Sequence, residues 1–348
     1  MVRFGVSVTA AVAVALASCA VAGAVGGTAP KQLSVADVTL GASAYTDRGA
    51  PGPRRLAATN RSSWWGGTYY TKAGEPVRVN VSDSYRYDPT YPQSVVDFLG
   101  ALTHGSELSR VSLWIGPLSL IGTLCGNSAS LGCYDPASGS LAVIGTDVDG
   151  YSVEQVLMHE YGHHVANNRV NPPWQGMTWG PKRWASYENV CRRTAGGQAF
   201  PGDESTHYWQ NPGEAFAESY MFLNAQRFGV LLPPWEYDPM FTPDYAALSK
   251  ISEDVVTPWA GDKTFVWSGR FAARGTSRAA TLQTPLDGTI AFRVTAAPRH
   301  SVLRVYADGR LLASVRAGAA GEICGQRAFT TRLTSGGTGR FRVVAETP

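Results

Sequence analysis

Hydrophobic and polar positions follow two different patterns along the chain. Residues 63–261 combine strand-like alternation with apolar residues at helical spacing, which predicts a mixed α/β domain. Residues 262–348 contain seven short alternating runs, with an Asp308-Gly309 hairpin signal between two of them, which predicts an antiparallel β-sandwich. The expected fold class is therefore α+β. The predicted strands lie at 76–81, 110–115 and 141–144 in the first domain and at 264–267, 279–282, 289–294, 302–306, 311–315, 328–333 and 341–344 in the second.

The clearest predicted helix of the first domain covers residues 152–167. Ser152 and Gln155 form a capping-box start for this helix. Gly162 in its interior costs roughly 1 kcal/mol relative to alanine, which indicates that another element packs closely against that face. Further helices are predicted at 92–102, 183–193 and 212–222, the last beginning at Pro212.

The helix at 152–167 contains an H-E-x-x-H motif, His159-Glu160-Tyr161-Gly162-His163. Four helical residues turn through about 400°, so the two histidines project from one face and can bind one zinc ion through their imidazoles. Glu160 lies about 100° round the helix, where it can reach a water on the metal without being a ligand. This is the position that a general base requires.

A catalytic zinc ion has three protein ligands and one open position, so a third ligand is needed. The metzincin pattern is excluded, because Ala166 and Arg169 occupy the positions where it has glycine and histidine. Downstream, Glu214 and Glu218 lie one turn apart in the predicted helix at 212–222. The Glu-Ala-Phe-Ala-Glu segment together with H-E-x-x-H resembles the gluzincin metallopeptidases, in particular catalytic domains of the anthrax lethal factor type.

The resemblance implies a zincin-like fold for residues 63–261 and a role for each carboxylate. Glu214 corresponds to the third zinc ligand, and Glu218 to a carboxylate that orients a ligating histidine. Relatives also place a tyrosine several residues before the ligand glutamate, where its hydroxyl stabilises the oxyanion. Tyr208 occupies about that position, and the neighbouring His207 is an alternative donor. The second domain resembles the bacterial pre-peptidase C-terminal domain in length, strand number and position.

Composition and charge narrow the classes of protein that the chain can represent. The 348 residues are 44% hydrophobic and 16% charged, which is typical of a folded protein rather than a disordered one. The formal net charge is +3, and no run of basic residues could follow a phosphate backbone, so we do not expect nucleic acid as a partner. The sequence predicts no oligomeric state.

The N-terminal region predicts export from the cell. Residues 1–25 resemble a signal peptide, and a lipobox-like segment ends at Cys19. Lipid attachment at Cys19 would anchor the protein to the outer face of a bacterial membrane, whereas cleavage at 20–22 or 22–24 would release it. Residues 26–62 are rich in Gly, Ala, Pro and Ser, and we expect a linker or pro-segment with little fixed structure.

Four cysteines remain after Cys19, an even number that suits an oxidising compartment. Cys125 and Cys133 are close enough in sequence to close one loop, in which case Cys191 and Cys324 would join the two domains. Four cysteines allow three pairings, and the sequence does not select one.

The motifs predict a secreted or membrane-anchored zinc metalloendopeptidase that acts on protein or peptide substrates. His159, His163 and Glu214 would bind one Zn²⁺ ion, and Glu160 would act as general base. In a zincin, the substrate adds as a strand to a sheet edge, for which 141–144 is the expected strand. The alternative is a non-catalytic envelope protein with a peptidase-like fold that binds protein or glycan through its β-sandwich.

Overall fold

The computed structural model describes residues 27–41, 63–172, 174–261, 263–283, 289–324 and 328–347. The predicted signal peptide, Cys19 and residues 42–62 lie outside these ranges. The described chain is an α+β structure with a mixed sheet and helices in its first part and antiparallel sheets in its second. None of the helices in the described ranges has the length and apolar character needed to cross a membrane.

The first part contains a five-stranded mixed sheet. Its strands are β1 (Trp64–Tyr70), β2 (Pro76–Ser82), β3 (Ser112–Gly116), β4 (Gly132–Asp135) and β5 (Ser140–Ile144). The strand order is β1-β2-β3-β5-β4, with β2, β3 and β5 parallel and the two outer strands antiparallel to their neighbours. A two-stranded ribbon follows, formed by β6 (Val170–Asn171) and β7 (Trp174–Gln175).

Eight helices surround these strands. They are α1 (Tyr91–Ala101), α2 (Leu118–Cys125), α3 (Val153–Asn167), α4 (Gly176–Trp179), α5 (Lys182–Tyr187), α6 (Val190–Ala195), α7 (Pro212–Arg227) and α8 (Tyr245–Val256) among the described residues. The predicted helix at 183–193 is two helices, because Asn189 has a positive φ of 54° and interrupts the helical path. The strands and helices share one continuous apolar core.

The expectation that 141–144 forms the sheet edge is wrong. All five residues of β5 are buried, and β5 lies between β3 and β4. A short run that is apolar on both faces is typical of a central strand. The edge strands of the sheet are β1 and β4, and β4 (Gly132–Asp135) is the one beside β5.

The expectation of little fixed structure at 26–62 is wrong for residues 27–41. Leu33 and Val38 are buried in the apolar core of the first part. Lys31 Nζ lies 2.7 Å from a carboxylate oxygen of Glu154 and 3.1 Å from one of Asp147. This segment is thus an integral part of the packed structure around the start of α3.

The second part is a β-sandwich of two four-stranded antiparallel sheets. Its strands are β8 (Lys263–Phe271), β9 (Ser277–Gln283), β10 (Thr289–Ala296), β11 (Val302–Ala307), β12 (Arg310–Arg316), β13 (Ala320–Cys324), β14 (Ala328–Thr334) and β15 (Gly339–Thr347). The strand orders of the two sheets are β13-β10-β15-β8 and β12-β11-β14-β9. The core between them is a separate apolar cluster that includes Phe271, Phe292 and Phe329. The sequence predicts seven of these strands and misses β13.

Two disulfides join the four cysteines. Cys125 and Cys133 link the end of α2 to β4, and Cys191 of α6 is bonded to Cys324 of β13. The second bond connects the sandwich covalently to the first part of the chain, in addition to the polypeptide between them.

Candidate metal centre

Local sequence fixes the start of the motif-bearing helix α3. The Ser152 hydroxyl accepts a hydrogen bond from the Gln155 amide at 3.1 Å, which caps the helix. Asp147 accepts from the Val153 amide at 3.0 Å, so its carboxylate lies at the positive end of the helix dipole. Asp147 therefore serves as a cap for this helix. The helix therefore begins at a defined residue, which fixes the rotation of its histidines.

A close contact between α3 and α7 brings the two motifs together. A Cβ atom placed on Gly162 would lie 2.9 Å from Ala217 Cα and 3.0 Å from the Ala217 carbonyl oxygen. Only glycine leaves room for the backbone of α7 at this distance. The close packing predicted from Gly162 is present. Asn211 accepts a hydrogen bond from the Gly213 amide at 3.0 Å and caps α7.

His159, His163 and Glu214 converge in a buried cluster. His159 Nε2 lies 3.3 Å from Glu214 Oε2, and His163 Nε2 lies 3.4 Å from Glu214 Oε1. One ligand atom from each residue lies within 4.8 Å of the others. All three residues are at most 3% exposed. The structure thus brings together residues that are 55 positions apart in sequence on two different helices.

The cluster could hold a metal ion, and its donor atoms are of the kind that bind zinc. Two atoms bound to a tetrahedral zinc ion at about 2.0–2.1 Å are about 3.3–3.4 Å apart, which matches the two nitrogen-to-oxygen separations. Neither ring nitrogen of His163 has a hydrogen-bond partner among the described residues, although both are buried. Buried polar atoms are normally satisfied, so this buried imidazole, with Nε2 3.4 Å from Glu214 Oε1, fits a site that a bound metal ion would complete.

Glu218 lies behind His159, where it can orient the ring. Its Oε2 atom is 3.0 Å from His159 Nδ1, and both side chains are fully buried. Burial acts to lower the pKa of His159, but hydrogen bonds and charges from Glu214 and Glu218 outweigh it and raise that pKa well above its usual value. Burial acts to raise the pKa of Glu214, and the neighbouring histidines reverse this, so the carboxylate stays ionised.

Glu160 lies next to the cluster and beside the edge strand β4. Its side chain is fully buried, and a Cβ atom on Gly132 of β4 would lie 3.0 Å from both Glu160 Cγ and Glu160 Oε1. Glycine at position 132 therefore makes room for this carboxylate. The candidate base and the edge strand are in direct proximity, which the sequence alone does not reveal.

Tyr208 is part of the site, whereas His207 is not. The Tyr208 hydroxyl donates to Glu214 Oε2 at 2.9 Å and lies 3.3 Å from the Tyr237 hydroxyl. His207 instead lies 2.8 Å from Asp203 and stacks on Phe200. The described contacts thus join Tyr208, and not His207, to Glu214. No sequence signal marks Tyr237, which is brought to the site by the fold.

His164 lies on the opposite side of α3 and connects the helix to the sheet edge. It is buried, with Nε2 2.9 Å from the Glu107 carbonyl oxygen and Nδ1 3.2 Å from the Tyr134 hydroxyl. The Glu107 carboxylate in turn forms a buried ion pair with Arg169 at 2.7 Å. Arg169, which excludes the metzincin arrangement, therefore has a structural contact of its own.

Comparisons with known proteins do not assign the chain to a family. No protein-family model matches the sequence, and no curated protein matches it either. Among solved structures, the chain is similar to PliG of Aeromonas hydrophila, a periplasmic inhibitor of g-type lysozyme, with 12% identity and a TM-score of 0.21 over 26% of this chain and 91% of that one. It is also similar to the capsular polysaccharide assembling protein CapF of Staphylococcus aureus, with 11% identity and a TM-score of 0.14 over 69% and 74% of the two chains. TM-scores of this size do not indicate a shared fold.

Proposed function

We propose that the protein is a zinc-dependent metallopeptidase of the gluzincin type, with a zincin-like first domain and one catalytic Zn²⁺ ion. The observation that carries the proposal is the convergence of His159, His163 and Glu214 beside a buried carboxylate, Glu160, that belongs to the same motif. Two imidazoles and one carboxylate form a donor set that catalytic zinc sites use. A zinc ion bound there would activate water and polarise a peptide carbonyl.

Three residues around the cluster would have separate roles in the proposed reaction. Glu160 accepts the proton of the attacking water and delivers it to the leaving amine nitrogen. Glu218 accepts a hydrogen bond from the Nδ1–H of His159, which would leave the Nε2 lone pair available to bind the metal ion shared with Glu214. Tyr208 offers a hydroxyl beside Glu214 that can donate to the oxyanion once the substrate carbonyl is in place.

The position of β4 at an edge of the sheet supports a peptide as the substrate. An extended chain could pair along the side of β4 that has no neighbouring strand. Gly132 at the start of β4 lies against Glu160, so a peptide paired with this strand would pass the candidate base. We infer a location outside the cytoplasm, because two disulfides are typical of proteins in oxidising compartments.

The test combines metal analysis with cleavage of unfolded casein by the purified full-length chain. We expect one zinc ion per chain and cleavage that a chelator abolishes and zinc restores. Glu160→Gln should keep the zinc ion and lose activity by about 10²–10⁴-fold, the usual contribution of a positioned general base. Glu253→Gln, an isosteric change on α8, is the matched control and should retain activity.

Two results would contradict the proposal. Retained activity in Glu160→Gln would remove this residue from the mechanism. Stoichiometric zinc without hydrolysis of casein or of any peptide pool would favour the non-catalytic binding protein instead.

A further inference from the structure

A cavity of about 740 Å³ lies where the edge strand β4 ends. Three parts of the chain form it: Asp135–Ala137 at the end of β4, Asn167 at the end of α3, and the two-stranded ribbon of β6 and β7. Its volume falls within the range of about 300–1,000 Å³ that is usual for ligand pockets. None of the residues that line it belongs to the cluster of His159, His163 and Glu214. The cavity is therefore a separate candidate binding site.

The strand β4 and the helix α3 run side by side from the candidate base to this cavity. At one end, Gly132 of β4 lies against Glu160 of α3. At the other end, the Asn167 side-chain amide donates to the Pro136 carbonyl oxygen at 3.2 Å. Four strand residues at about 3.3 Å and seven helix residues at about 1.5 Å give path lengths of about 13 Å and about 10 Å. An extended peptide covers this distance with three or four residues, at about 3.3 Å each.

The described lining of the cavity offers no open charge to a ligand. Its two charged residues, Asp135 and Arg169, are 3% and 7% exposed. The Asp135 carboxylate accepts hydrogen bonds from the Ala137 amide at 3.0 Å and from the Ser138 hydroxyl at 2.7 Å. The Arg169 guanidinium forms its ion pair with Glu107 at 2.7 Å and also donates to backbone carbonyl oxygens. Both charges are thus bound by the protein itself, and the other polar lining side chains are neutral amides.

The apolar part of the lining is held in place by the surrounding structure. Trp174 stacks on Trp179, with ring centroids 4.1 Å apart and planes 5° apart. A Cβ atom on Gly176 would lie 2.5 Å from the Ala166 carbonyl oxygen, so the ribbon packs directly against the end of α3. Trp174 is half-buried and Val170 is 49% exposed, so both present apolar surface in the cavity. A preformed apolar surface of this kind suits an apolar ligand.

We propose that this cavity binds a large apolar side chain of the peptide substrate, aromatic or long aliphatic, three or four residues before the cleaved bond. The inference rests on the proposed peptidase function and names the substrate class. Because β4 runs towards the cavity, a peptide paired antiparallel to it, the more stable arrangement, places residues N-terminal to the cleaved bond there. An aromatic ring can pack against Trp174, whereas a charged side chain would lose water without gaining an ion pair.

The test measures cleavage of a peptide series by the full-length, zinc-loaded protein. The peptides share one sequence and one cleaved bond, identified by mass spectrometry, and carry Phe, Leu, Ala, Asp or Lys three or four residues before it. We expect kcat/KM to be about 10–100-fold higher for Phe than for Asp or Lys, which is what burial of a large apolar side chain provides. Binding of the same peptides to Glu160→Gln, followed by fluorescence anisotropy, should show the same order of preference without turnover.

A carboxylate introduced into the cavity should shift the preference towards a basic side chain. In Val170→Glu we expect the ratio of kcat/KM for the Phe and Lys peptides to fall at least about fivefold, because the new charge attracts lysine. This ratio compares two peptides with one protein, so it does not depend on the fraction of folded protein. Val266→Glu is the matched control, because Val266 is 48% exposed on β8 and is not among the lining residues. Its ratio should stay within about twofold of the native value.

Three results would overturn the inference while leaving the proposed function intact. The first is chelator-sensitive cleavage at equal rates for the Phe, Asp and Lys peptides. The second is an unchanged Phe-to-Lys ratio in Val170→Glu. The third is a preference for large apolar residues only after the cleaved bond, which would contradict antiparallel pairing along β4. Absence of cleavage of any peptide would overturn the proposed function and this inference together.

Discussion

The contact at Gly162 predicts that one added methyl group disturbs the metal centre. In Gly162→Ala the new Cβ atom would lie 2.9 Å from Ala217 Cα and 3.0 Å from its carbonyl oxygen, whereas carbon atoms pack at about 3.5–4.0 Å. The helices α3 and α7 would have to separate by roughly 0.6 Å or more to accept it. Because His159 and His163 lie on α3 and Glu214 lies on α7, the same movement widens the ligand cluster.

The expected loss of zinc affinity follows from how little the metal-to-ligand distances can change, and the expected change in stability follows from helix propensity and core packing. Metal-to-ligand distances vary by only about 0.2 Å around their preferred values, so a shift of this size should lower zinc affinity by about 10–100-fold, as loss of an orienting contact does. Alanine favours the helix by about 1 kcal/mol over glycine, but overpacking a core costs about 1–3 kcal/mol. The free energy of unfolding should therefore change little or fall by up to about 2 kcal/mol.

Competition with a chromophoric chelator measures the zinc affinity, and thermal unfolding measures stability. Gly67→Ala is the control, because a Cβ atom there meets nothing within 4 Å, and it should leave both quantities near the native values. Ala217→Gly in the Gly162→Ala background should not restore binding, since the closest atoms belong to the α7 backbone. Native zinc affinity in Gly162→Ala would refute the argument that this contact sets the geometry of the cluster.

Two further predictions concern buried carboxylates. Glu218→Gln should lower zinc affinity by about 10–100-fold while leaving the three ligands in place, because an amide orients the His159 ring less strongly, and unchanged affinity would contradict this role. Burial raises the pKa of Asp254 to about 6, against backbone hydrogen bonds and the Arg183 charge that lower it. The folded state therefore keeps the Asp254 proton to a higher pH than the unfolded state does. The stability that this proton contributes is present below pH about 4 and is lost as the pH rises to about 6, by up to roughly 3 kcal/mol. Denaturant unfolding between pH about 4 and about 6 should show this loss of stability in the native protein and not in Asp254→Asn. Parallel dependences of the free energy of unfolding on pH in the two proteins would contradict the prediction.

Much of the local structure could be predicted from the sequence because it depends on residues that are close together in the sequence. Helix α3 begins where Ser152 can cap it and α7 where Asn211 and Pro212 start it, and both contain residues with consistent helical spacing. The strand β13 has no such pattern, because its sequence Ala-Gly-Glu-Ile-Cys contains one large apolar residue. Its pairing with β10 is decided by the register of the sandwich.

The parts that the sequence could not predict depend on contacts between distant residues. Leu33 and Val38 lie in a segment rich in small and polar residues, and their burial requires a surface that forms only when the first domain folds. The neighbours of β5 and the approach of Tyr237 to Tyr208 are likewise set by topology. Local patterns therefore identified the chemical groups of the site, but not the edge strand beside them.

The segment before the first strand restricts where the chain can be cut without disturbing the start of α3. Its Lys31 ammonium faces two carboxylates at the start of α3, the Thr39 carbonyl accepts from Ser152, and the Gly41 amide donates to Gln155. A protease that cut after Gly41 would leave Glu154 buried without its cation and free the first turn of the helix that carries His159. Any trimming that keeps these contacts must therefore cut upstream of Lys31, and a shorter N-terminus would loosen the start of the helix that carries His159 and His163.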